Sequence, residues 1–239
     1  MTSGAPDYLI ITGGRTPERG ITYSQVEAAI VMFDDFEATT LHWGCPYGTA
    51  TLDSSSSAGG RPSVVFNGNC CLKLVTEVST EGEIFRYLPV PEQVGNIGIS
   101  FYFRSDSYAQ FKDSDESIML FRFWINTGNK YYSFMITANP ANDKLYYSNN
   151  NEDSFTEFGS VDLAEYKHHF CKLVVDLTNA KAKYLLLDGA RYDLSNINLY
   201  FIDGEEAPYM YVGIKMYDAG ITRATLYIDD YKVTYNEPV

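Results

Sequence analysis

Seven polar and aromatic residues fall at alternate positions of three segments, "GISFYFR" at 98 to 104, "IMLFRFWIN" at 118 to 126 and "YYSFMIT" at 131 to 137. They are Tyr102, Arg104, Arg122, Trp124, Asn126, Tyr131 and Ser133. Alternation along a strand puts each set on one face, and if the three strands are neighbours, that face holds rings beside guanidinium and amide groups. Sugars lay their apolar faces on such rings while Arg and Asn bind hydroxyls, so this is the sequence's candidate for binding a glycan. The same residues serve as packing surface if a loop, an N-terminal arm or another subunit covers them. The opposite set, Phe101, Phe103, Phe121, Phe123, Ile125, Tyr132, Phe134 and Ile136, is expected to face a core.

Other chemistries find little support. A Ser-His-Asp arrangement has only His42, His168 and His169 to draw upon, and there is no G-x-S-x-G elbow. His168 and His169 occupy adjacent positions, so a strand turns only one of them toward any given side; structural roles are expected. Cys45, Cys70, Cys71 and Cys171 form no C-x-x-C pair and supply no zinc-ligand spacing with the histidines. Free thiols are the expectation, with a disulfide at Cys45 or Cys171 left open. The net charge of −13, from 31 acidic against 18 basic residues, repels phosphate backbones and argues against nucleic acid. No stretch approaches the roughly 20 apolar residues of a membrane-spanning helix. The N-terminus lacks the basic leader and apolar run of a signal peptide.

The elements that must position these residues are strands. Short runs rich in Phe, Tyr, Val and Ile are separated by "NTGN", "NPAND", "YSNNNED" and "DGEEAP", the turn chemistry of a two-sheet, all-β sandwich. Residues 1–30 read as an extended arm: "DYLIIT" is strand-like but runs into "GGRTPERG". Ser24 and Glu27 have capping-box spacing for a turn or two of helix. Residues 31–239 read as one sandwich domain, with "DSSSSAGGRP" at 53 to 62 a flexible loop. In "HHFCKLVVDL", Cys171, Leu173, Val175 and Leu177 form one inward face, and Asp188-Gly189 of "LLLDGARY" supplies the positive φ of a tight hairpin.

The stretch "HHFCKLVVDLTNAKAKYLLLDGARYDL" at 168 to 194 resembles a recurring hairpin of the concanavalin A-like lectin and glucanase superfamily, laminin G-like domains included. "VMFDDFE" at 31 to 37, "SVVFNGNCCLKLVT" at 63 to 76 and "ATLYIDDYKVTY" at 224 to 235 resemble the first, second and closing strands of bacterial jelly-roll modules that bind carbohydrate. The resemblance implies an antiparallel jelly roll. It also implies where catalysis would sit: members that cut β-glucans carry E-x-D-x-x-E on one strand. That triplet is absent; "NEDSFTE" at 151 to 157 has a different spacing, so no enzyme activity is expected. The acidic cluster with Asn and His that serves Ca²⁺ and Mn²⁺ in the lectins is absent too. In similar modules a structural Ca²⁺ ties the first strand to the last, which implies Asp35, Glu37, Asp229 and Asp230 as ligands; the alternative makes them carboxylates that discourage edge pairing.

Three functions follow. The first is a non-catalytic structural or decoration protein of a surface assembly such as a virus particle, in its capsid or tail. There the arm would join protein subunits by strand addition. The second is a carbohydrate-binding module, with or without Ca²⁺; the third is a polysaccharide-active hydrolase or lyase. The localisation expected from the first is the virion or another extracellular surface.

Overall fold

The computed structural model describes residues 10–11, 29–54, 63–78, 80–90, 95–149, 154–204, 207–220 and 222–237. In chain order the strands are β1 (Ile10–Ile11), β2 (Ala29–Asp34), β3 (Gly44–Tyr47), β4 (Thr49–Asp53), β5 (Cys71–Val75) and β6 (Glu81–Leu88). There follow β7 (Asn96–Arg104), β8 (Ile118–Asn126), β9 (Lys130–Asn139), β10 (Lys144–Ser148), β11 (Thr156–Ser160) and β12 (His169–Asp176). The last are β13 (Lys181–Leu187), β14 (Ala190–Asp193), β15 (Tyr200–Asp203), β16 (Tyr209–Tyr217) and β17 (Thr225–Tyr235). Among the described residues the one helical element is a 3-10 turn at Tyr108–Gln110.

The strands form the two sheets of a jelly-roll sandwich. The first runs β1-β2-β17-β7-β12-β13-β14, with β5 also on β17 and β4 on β5. The second runs β11-β10-β9-β8-β16-β6-β3, with β15 also on β9. Their inner faces close on one core that includes all eight residues expected there, Phe101, Phe103, Phe121, Phe123, Ile125, Tyr132, Phe134 and Ile136. Cys171, Leu173, Val175 and Leu177 join them, because a period of two sends every second side chain inward. Asp188 and Gly189 sit at φ 50° and 87°, the paired positive φ of a two-residue hairpin between β13 and β14. Cys45, Cys70, Cys71 and Cys171 are free thiols, and burial raises the pKa of Cys71 and Cys171.

One boundary differs from expectation. β2 begins at Ala29, ahead of the expected domain start at 31, because its pairing with β17 extends to Tyr235 opposite Ala29. Within the arm, Ile10 and Ile11 pair in parallel with Met32 and Phe33 of the chain's own β2. The possible helix at Ser24 and Glu27 lies outside the described residues, as do most of the 53–62 loop and the start of "NEDSFTE".

Candidate functional site

The aromatic and guanidinium residues do not share one face. β7 lies in the first sheet and β8 and β9 in the second, so Tyr102 and Arg104 point away from Arg122, Trp124 and Tyr131. Alternation separates inside from outside, but it does not say which sheet a strand joins. Residues 63–70 fold over the first sheet and cover Tyr102 and Arg104. Phe66 stacks on Tyr102 with ring centroids 3.5 Å apart. Arg104 is fully buried; it donates to the Ser63 carbonyl and pairs with Asp106 at 2.7 Å. His168 Nε2 lies 3.1 Å from the Val64 carbonyl oxygen, and burial lowers its pKa. Asn126 is buried as well, its Oδ1 accepting from the Gly128 amide at 2.8 Å to shape the turn between β8 and β9. These contacts make Tyr102, Arg104 and Asn126 parts of the scaffold.

The outward face of the second sheet is different. Tyr87 on β6, Tyr211 on β16, Trp124 on β8 and Ser133 on β9 stand directly opposite one another in four adjacent strands, so their side chains make a row across the sheet. Tyr211 forms its floor: Phe85 stacks on it at 5.1 Å, Trp124 lies 4.5 Å away, and Tyr87 meets it edge-on at 5.6 Å. Tyr209 flanks Tyr87 at 5.8 Å. Tyr87 is 60% exposed and Trp124 half-buried, whereas Tyr211 and Ser133 are buried, so the row opens to solvent at its Tyr87 end. Two glycines leave room for it: a Cβ on Gly44 would lie 2.6 Å from Phe85 Cζ, and one on Gly213 3.2 Å from Tyr211 Cε1.

Charges are interleaved with the rings. Arg122 lies 4.4 Å over the Trp124 ring and donates to Glu83, which also accepts from the Tyr211 hydroxyl. Burial foremost, then the Glu83 hydrogen bond, keeps the Tyr211 hydroxyl protonated well above the usual range. Lys215 pairs with Glu81 at 2.6 Å. Burial works against its charge, but hydrogen bonds to Glu81 and Tyr217 outweigh it and raise the pKa. Of the residues singled out in the sequence, Arg122, Trp124 and Tyr131 fall on this sheet. Phe85, Tyr87, Tyr209, Tyr211, Glu81 and Glu83 were missed, although "EGEIFRYL" and "YMYVGIKMY" carry the same alternation.

His169 is buried with Nδ1 2.6 Å from Asp188 Oδ2 and Nε2 3.0 Å from the Ala164 carbonyl oxygen. Both ring nitrogens are occupied by the fold, which makes this a structural histidine. Glu81 and Glu83 stand two positions apart on β6, and both are held by cations.

Of the four carboxylates implied for calcium, Asp35, Glu37 and Asp229 accept backbone amides. Among the described residues no three His, Cys, Asp or Glu side chains converge as metal ligands. Glu37 accepts from the Asn69 and Cys70 amides, Asp229 from those of Phe66, Asn67 and Asp230, and Asp35 from that of Glu37. The physical reason is the bend in β17. Its partner changes from β5 to β2 around Asp229 and Asp230, with Asp230 at φ 50°, and the carboxylates there fasten the 63–70 loop instead. Asp229 and Asp230 are also not at a sheet edge, since β17 lies between β2 and β7.

The chain matches no protein-family model, and no curated protein matches it. Among solved structures it is similar to the T. cruzi calreticulin globular domain, at 11% identity and TM-score 0.53 over 87% of this chain and 89% of that one. It is also similar to the Emp47p carbohydrate recognition domain, at 11% identity and TM-score 0.49 over 90% and 97%. A third is the CBM2 module of the Lactobacillus casei BL23 phage J-1 evolved Dit, at 13% identity and TM-score 0.43 over 89% and 98%. The fold is that of the concanavalin A-like lectins. Within this concanavalin A-like sandwich the ring-and-guanidinium row occupies the outer surface of β6, β16 and β8, in the middle of the second sheet.

Proposed function

We propose that this chain is a non-catalytic carbohydrate-binding sandwich whose sugar site is the outward face of β6, β16 and β8. The observation that carries the reading is the aromatic row of exposed Tyr87 and half-buried Trp124 over the buried floor of Tyr211, beside the Arg122–Glu83 pair. Rings offer a sugar its stacking surface, and a guanidinium next to a carboxylate offers neighbouring hydroxyls a donor and an acceptor. Catalysis is not part of the reading, because hydrolysis by two carboxylates requires one of them to act as an acid, and Glu81 and Glu83 are each engaged by a cation. Ca²⁺ is not part of it either, since Asp35, Glu37 and Asp229 accept backbone amides. The test is a glycan array probed with the wild type, Tyr87→Ala and Trp124→Ala. Both variants are expected to lose at least ten-fold in affinity, and undiminished binding by both would sink the proposal.

A second reading, favoured by β1, places the sandwich in a surface assembly such as a virus capsid or tail, with residues 1–30 as its anchor to other subunits. Ile10 and Ile11 add as a strand to the side of β2 away from β17, and an arm that pairs onto its own sheet edge has the chemistry to pair onto a neighbour's. Light scattering of the full chain beside one starting at Ala29 tests it: association is expected to disappear with the arm. The two readings are compatible, since a displayed sandwich can read a surface glycan.

A further inference from the structure

Resting on the carbohydrate reading above, we infer that the face selects neutral sugar chains and turns away anionic ones such as sialylated, uronate or sulfated glycans. Three cations project from outward strand positions of the second sheet, and each has a carboxylate within ion-pair distance on the strand beside it or one strand further. Arg122 on β8 pairs with Glu83 on β6 across β16. Lys215 on β16 pairs with Glu81 on β6 at 2.6 Å, and Lys144 on β10 with Glu157 on β11 at 2.6 Å. Three positive charges against three negative ones leave the strand face neutral, on a chain whose net charge is −13.

An anionic sugar gains affinity from a cation it can neutralise, and one already matched by a carboxylate offers little while the carboxylate repels. A neutral sugar needs no such cation. It gains from the rings, and it can hydrogen-bond to a paired guanidinium and carboxylate without separating them. The row also runs across the strands: Tyr87, Tyr211 and Trp124 lie on three adjacent strands, a span of about 10 Å. Exposed Tyr87 and half-buried Trp124 stand at its two ends with buried Tyr211 between them as the floor, a spacing suited to neighbouring sugar rings of a chain.

The experiment is a panel of neutral hexose oligomers beside sialylated, uronate and sulfated ones, at low and high salt, with wild type, Tyr87→Ala, Trp124→Ala and Glu81→Gln. Neutral oligomers should bind at least ten-fold more tightly than their anionic counterparts, with less than about two-fold change on adding salt. Glu81→Gln should uncover Lys215 and raise anionic binding several-fold. Anionic glycans bound preferentially, weakened by salt and lost in Tyr87→Ala would overturn the selectivity while leaving the face as the sugar site. Neutral binding untouched by Tyr87→Ala and Trp124→Ala would overturn the site itself, and no binding to any sugar would overturn both.

Discussion

The guanidinium of Arg122 lies 4.4 Å over the ring of Trp124, two residues along the same strand and on the same face. It also contacts Glu83 and the Tyr211 hydroxyl, so one side chain joins the rings to the charges of the candidate site. Arg122→Ala would leave the buried Glu83 carboxylate without its cation, a loss of about 3 kcal/mol or more. Denaturant unfolding is expected to register it. Adding Glu83→Gln to Arg122→Ala should recover at least half of that loss, and a double variant no more stable than the single one would show that the pair is not coupled.

Asp229 sets a pH dependence. Burial first, then the nearby Asp230 charge, pushes its carboxyl up to about 7, although the amides of Asn67, Asp230 and Phe66 donate to it. The unfolded value is about 4, so between about pH 4 and 7 the folded chain holds a proton that the unfolded chain releases. The site's contribution to stability is therefore fully present below about pH 4 and is lost as the pH rises through about 7, at no more than about 1.4 kcal/mol per unit. Melting curves should show Asp229→Asn gaining on the wild type across that window. A constant difference between the two proteins would refute the assignment.

Gly213 has no space for a side chain. A Cβ there would lie 2.7 Å from the Ile84 carbonyl oxygen and 3.2 Å from Tyr211 Cε1. Gly213→Ala should cost about 1 to 3 kcal/mol by overpacking and tilt the Tyr211 floor, lowering sugar affinity as well as the melting temperature. An unchanged melting temperature would mean that the backbone yields freely at this point.

Calcium should leave stability alone. The melting temperature is expected to be the same with added Ca²⁺ and with a chelator, because Glu37 and Asp229 already accept backbone amides. A rise of several degrees with Ca²⁺, lost in Asp229→Asn, would restore the metal to Asp35, Glu37, Asp229 and Asp230.

By itself the sequence determined which side chains face inward, and so the all-β sandwich. Strand geometry repeats every two residues, so "FCKLVVDL" and "FRFWI" declare their buried faces locally, and Asp188-Gly189 declares its turn through backbone conformation alone. Only the tertiary structure decided which outward residues share a surface. Tyr102 and Trp124 look equivalent in their strands, yet β7 and β8 enter different sheets; one ring lies under Phe66 and the other beside Tyr211. The pairing of Arg122 with Glu83, 39 residues apart, was likewise invisible, because it depends on β16 running between their two strands. Period-two patterning is a property of the chain, whereas strand neighbours are chosen by the burial of the whole core.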